Sequence, residues 1–294
     1  MLFDDNAQTK LDAIIHGAAV GETVGLLASR MSEAERAEKL TPEGILQLSR
    51  QSDLTSTSAE MLRATISGLE AADAMGSPSN RDILIHLHRA YREWATTSPI
   101  ALQFRNARLR EALMYSQLGA FTHVERGGCD GMLCVAPIGL AFADDPGRAF
   151  ELGVRAVALS DADFNSGLAA GVVSLLFALM GQGMHIREAI PDATAFIRPL
   201  DWSGEVSNIL RSVLDRDAMA GGYSHPVCSD LRVALTSIVS VYADVLTSKM
   251  SWKAAVLAAQ FTSATLSSEL ARIAACSTER SPNDINPRAS QTLR

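Results

Sequence analysis

Asp161 and Asp163 stand one residue apart in the segment Ser160-Asp161-Ala162-Asp163, close enough to act as a carboxylate pair. Such a pair could move a proton or hold a cation. The same two acids stand immediately before an apolar Ala/Gly-rich run, where a side-chain oxygen caps a helix and negative charge matches its positive end. Capping is the preferred reading. His86 and His88 are two apart, so on a helix they do not share a face, and they read as solvated side chains. His16 could border a pocket but reads as a packed histidine. Cys129, Cys134, Cys228 and Cys276 form no C-x-x-C pair and have no partner at zinc-binding spacing, which leaves buried free thiols. No Ser-His-Asp set can be placed, no G-x-S-x-G occurs, and no glycine loop leads into a phosphate-binding lysine.

The elements that must position these groups are helical. Residues of one helix face recur at spacings of three and four: Leu11, Ile14, Ile15 and Ala18; then Met61, Leu62, Thr65, Ile66 and Leu69; then Ala149, Leu152, Ala156 and Leu159. Gly167 to Met180 is apolar on most faces and belongs at the centre of the fold. Leu231 to Val245 and Trp252 to Ala275 predict two more helices. Turn signals at Gly76-Ser77-Pro78, Gly127-Gly128, Asp145-Pro146-Gly147 and Gly221-Gly222 fall between these stripes. No stretch alternates like a strand, and no fixed-period repeat is visible. The expected fold is all-α: one domain over residues 1–276, with a polar, fraying tail over 277–294.

With 294 residues, 47% of them hydrophobic and 20% charged, the chain can bury a sizeable core. The net charge of −7 and the absence of any Lys/Arg-rich run argue against nucleic acid as a partner. The apolar run of Gly167–Met180 is shorter than the roughly 20 residues that span a bilayer, so no membrane segment is expected. The opening MLFDDNAQTK has no basic segment followed by an apolar one, so no leader is expected and the reading is cytoplasmic.

Three segments in order carry a family resemblance. Gly17-Ala18-Ala19-Val20-Gly21-Glu22-Thr23-Val24-Gly25 is similar to a G-x-x-x-G-D-A-x-G opening helix. Val135-Ala136-Pro137-Ile138-Gly139-Leu140-Ala141-Phe142 is similar to a Met-Arg-x-Ala-Pro segment. Asp145-Pro146, a helix, and then Ser160 to Asp163 come after it in the order of the family's middle region. With the C-terminal helices, the pattern over residues 10–276 resembles the ADP-ribosylglycohydrolases. The resemblance implies a compact orthogonal helical bundle. It also implies cleavage of the bond between ADP-ribose and an acceptor, with two divalent cations, Mg2+ or Mn2+, held mainly by carboxylates.

The ligand set implied by the family is depleted here. The family's Thr-Asp-Asp-Thr segment corresponds to Ser52-Asp53-Leu54-Thr55, and its Gly-Asp-x-Asp-Thr segment to Ser263-Ala264-Thr265-Leu266-Ser267. One carboxylate of four remains, with hydroxyls at Ser52, Thr55 and Ser267. Neutral hydroxyls cannot balance two cations about 3.5–4 Å apart, so no metal is expected. The nucleotide loop corresponds to Gly128-Cys129-Asp130-Gly131, with Cys129 where Asn is common. Cys134 stands where Arg is usual, and Asp161 where a His often sits. Glu22 and Asp53 are the candidates for a residual site; brought together without metal they would repel, and one would bind a proton more readily.

The resulting expectation is a metal-deficient pseudoenzyme that binds ADP-ribose, an ADP-ribosylated protein, or a protein partner such as an ADP-ribosylating toxin or transferase. The alternatives are an active hydrolase using Asp53 and Glu22 in a rebuilt site, and a purely structural or oligomeric role. A polar pocket bordered by Glu22, Asp53 and Asp130 would favour ligand handling. A pocket filled by Leu54 and Leu266 would favour protein interaction.

Overall fold

A computed structural model describes residues 2–39, 56–103, 107–115, 131–161, 163–201, 204–214, 226–239 and 253–264. Among these residues all regular structure is helical. In chain order the helices are α1 (Asp5–Ala28), α2 (Glu33–Lys39), α3 (Thr57–Asp73), α4 (Asn80–Thr97) and α5 (Ala107–Tyr115). A short 3-10 turn (Gly131–Cys134) leads into α6 (Ala136–Ala141), α7 (Pro146–Val157), α8 (Phe164–Gly181) and α9 (Ile186–Ile197). The last three are α10 (Glu205–Leu214), α11 (Pro226–Val239) and a helical stretch over 253–264, here α12.

The starts of these helices follow from local side chains. Asp4 caps α1, Ser56 caps α3 and Asp145 caps α7, each accepting an otherwise orphaned backbone N–H. Ser79 with Asp82 and His185 with Glu188 form reciprocal capping boxes on α4 and α9.

The central helix is α8, whose residues from Ser166 to Met180 are all buried. It extends the apolar run to 18 residues, and α1 also is long and apolar enough to cross a membrane by length and composition. The apolar window of α8 is 83% buried inside the protein, which is the burial of a core helix. The helices α6, α7, α9, α10 and α11 all pack on α8. Small residues allow the closest of these approaches. A Cβ on Gly139 of α6 would lie 2.3 Å from the Ser174 carbonyl oxygen of α8, so only glycine fits. The Phe177 ring of α8 stacks on Phe261 of α12, with centroids 4.6 Å apart and planes 5° from parallel. Both rings are fully buried.

Several sequence readings need correction or fall outside the described residues. His88 is buried and not solvated, because it shares α4 with the core residues Leu87 and Tyr91. His16 is exposed, although its neighbour Gly17 is buried against α12. Cys134 is buried and unbridged, as read. Cys129, Cys276, the ends of the last two predicted helices and the tail over 277–294 lie outside the described residues.

Candidate functional site

The site is built where α1, the start of α3, the 3-10 turn and α12 meet. Gly17 and Gly21 lie one helical turn apart on α1 and face α12. A Cβ on Gly17 would come within 2.8 Å of the Ala259 carbonyl oxygen and 2.2 Å of Ser263 Oγ. A Cβ on Gly21 would come within 2.7 Å of the Ala255 carbonyl oxygen. The two backbones therefore approach as closely as glycine permits, and Ser263 lies directly against α1.

One residue beyond Gly21, Glu22 is 2% exposed. Its carboxylate lies at the N-terminus of α3. Oε1 accepts from the Thr57 backbone N–H at 3.3 Å and Oε2 from that of Ser58 at 2.8 Å. Ser56 Oγ accepts the next N–H, that of Ala59, at 3.0 Å. The three leading donors of α3 are thus met by two side chains, one of them from another helix. A carboxylate is the right charge for this place, since a helix N-terminus carries roughly half a positive charge. The same field disfavours a cation there.

The 3-10 turn is held by two buried polar side chains. Gln260 of α12 donates Nε2–H to the Leu133 carbonyl at 2.8 Å. The Thr65 hydroxyl of α3 lies 3.0 Å from the Cys134 carbonyl and 2.9 Å from the Met61 carbonyl, either of which can take its proton. Tyr91 of α4 completes the knot at 2.9 Å from Thr65 Oγ1. Burial pushes the Tyr91 phenol well above its ordinary range. These anchors fix the backbone of the turn that opens at Gly131. Gly131 is buried against Val157, and a Cβ there would meet that side chain at 2.7 Å.

Asp161 and Asp163 belong to the start of α8. Asp163 Oδ1 accepts the Ser166 N–H at 2.7 Å and is the N-cap. Asp161, 4% exposed, accepts the Asp163 N–H at 3.0 Å and the Ser166 hydroxyl at 3.1 Å. The pair works as a cap and its brace, so Asp163→Ala should cost about 0.5–2 kcal/mol of stability, the usual loss for an N-cap. Urea unfolding of the two proteins reads this directly.

Of the residues the sequence singled out, Glu22, Gly131, Asp161, Asp163 and Ser263 are described. Ser52, Asp53, Thr55, Gly128, Cys129, Asp130 and Ser267 lie outside the described residues. So do Leu54 and Leu266, and the pocket criterion that used them is not decided. Ala264, which the resemblance sets in the place of one family acid, is described and is 2% exposed. A buried methyl there offers no oxygen to a cation. Among the described residues no three His, Cys, Asp or Glu side chains gather as a metal site would need. The residues missed by sequence reading are Ser56, Thr57, Ser58 and Gln260; Thr65 was placed on the apolar face of its helix, without its bond to the turn. The Ser-Thr-Ser run at 56–58 is a helix-start signal; Gln260 has none.

A family model described as ADP-ribosylglycohydrolase matches residues 4–275. No curated protein and no solved structure matches the chain.

Proposed function

Because this chain belongs to the ADP-ribosylglycohydrolase family, we propose that it is a metal-deficient member which keeps the scaffold for binding and has given up hydrolysis. The observation that carries the reading is the place of Glu22. Its two oxygens each accept a backbone N–H at the start of α3, so its charge is set against the positive end of a helix, a field that disfavours a cation. The sequence around it agrees: Leu54, Ala264 and Leu266 replace three of the four acids the family would use. A Mg2+ or Mn2+ pair needs several carboxylate oxygens, and the residues present do not fit one.

The same geometry weakens the alternative of an active hydrolase with Glu22 as acid or base. A carboxylate fixed by two backbone donors is oriented toward the start of α3. The ligand class that the family implies is ADP-ribose, free or attached to a protein. A protein ligand could equally be the transferase that attaches it.

The experiment pairs turnover with binding. The purified protein is incubated with an ADP-ribosylated arginine peptide, with and without Mn2+, and free ADP-ribose is measured by chromatography. No release is expected under either condition, while calorimetry with ADP-ribose shows binding that added metal leaves unchanged. Metal-dependent release that is lost in Asp53→Ala would overturn the reading.

A further inference from the structure

We propose that a cleft between α9 and α10, built from residues outside the candidate site, binds the phosphate group of a small phosphate monoester. The cleft measures about 400 Å³ and is lined by Pro191, Thr194, Ala195, Arg198, Ser207 and Arg211. That volume lies in the range of small-molecule sites. The spacing explains the lining. Pro191, Thr194, Ala195 and Arg198 follow i, i+3, i+4, i+7 along one face of α9 and its C-cap, and Ser207 and Arg211 are i, i+4 on α10.

Three features give the cleft its chemistry. It carries two guanidinium groups and no acid among its lining residues, in a chain whose net charge is −7. Arg211 is already oriented, with Nη2 donating to Asn208 Oδ1 at 2.7 Å and Nε to the Ser207 carbonyl at 3.3 Å. Ser207 is 3% exposed, and its buried hydroxyl has no hydrogen-bond partner. A buried polar group left without a partner is unfavourable, and a ligand oxygen would relieve it. The nearby acid, Asp201, accepts the Ser207 backbone N–H at 2.6 Å and does not line the cleft.

Arginine recognises phosphate through charge-assisted pairs of N–H bonds, and two arginines with a hydroxyl suit a doubly charged oxyanion. The free ion would leave much of the cleft unfilled. Pro191 and Ala195 supply an apolar wall and Thr194 a hydroxyl oxygen for the body of a sugar-sized ester.

Calorimetric titration with ribose 5-phosphate, inorganic phosphate and ribose at low salt tests this. Ribose 5-phosphate should bind, inorganic phosphate should bind at least threefold more weakly, and ribose should give no signal. Arg198→Gln and Arg211→Gln should each weaken the ester at least tenfold, and Ser207→Ala a few-fold. Both arginines are exposed, so melting temperatures should stay at the parent value and confirm folding. Binding of the ester at the Glu22 end of the molecule would be indifferent to these substitutions. Unchanged affinity in both arginine variants therefore overturns the proposal, whatever the fate of the functional reading above. Inorganic phosphate binding as tightly as the ester overturns the ester assignment.

Discussion

Glu22→Ala should lower the unfolding free energy by about 2–4 kcal/mol, and Mg2+ or Mn2+ should not change that loss. The substitution removes two hydrogen bonds to a charged acceptor, each worth about 1.5–3 kcal/mol at most. It also leaves the Thr57 and Ser58 N–H groups at a buried helix start without that acceptor. Water reaching the vacated space would recover part of the loss, which is why the two contributions do not simply add. Glu22→Gln should cost less, since one oxygen remains to accept one N–H. Chemical denaturation of parent and both variants, with and without metal, measures all of this. A metal ligand would behave in the opposite way: its removal from a crowded acidic site would raise stability in metal-free buffer. A more stable Glu22→Ala protein would mean that the carboxylate is held against its interest, as in a working site.

Phe261→Ala should cost about 3–5 kcal/mol, the usual range for emptying a buried aromatic position. The ring is fully buried and stacked on Phe177, and such a pair adds roughly 0.5–1.5 kcal/mol beyond the area it buries. The loss falls on the contact that ties α12 to α8. Because α12 also carries Gln260 and Ser263, hydrogen exchange should rise at the 3-10 turn and along the face of α1 that holds Gly17 and Gly21. Phe261→Leu should recover most of the stability, since a large apolar side chain still fills the space. Exchange confined to α12 itself would show that the anchors at Leu133 and Gly17 hold without the stacked pair.

The all-α architecture was readable because helical periodicity is a local property. The stretch Gly167–Met180, apolar on most faces, is expected at the centre, and α8 lies there. Asp163 was readable as a cap for the same reason: its partner, the Ser166 N–H, is three residues away. Glu22 was not readable in the same way. It is singled out as a reactive carboxylate because the family motif places an acid there, whereas two of its partners are backbone amides on another helix. A backbone N–H leaves no mark in the sequence. Gln260 is a second case, with its partner a carbonyl on a distant turn. His88 and His16 went astray because a lone histidine carries no periodicity of its own, and its face depends on the helix it rides on. The motif around Asp53 was legible as chemistry, but its surroundings, and the loop with Cys129 and Asp130, are not among the described residues.

The glycine crossing of α1 with α12 has a consequence for synthesis on the ribosome. The first helix is made well over two hundred residues before the surface that must cover it. At about 5–20 residues per second, α1 waits on the order of tens of seconds for α12. During that interval the groove over Gly17 and Gly21 has no native cover, and the carboxylate of Glu22 can reach α3 well before the crossing closes. The nascent chain therefore acquires its helix-end charge pairing early and its tightest backbone contact late. A stalled nascent chain ending before residue 253 should accordingly be far more sensitive to protease within α1 than the released protein.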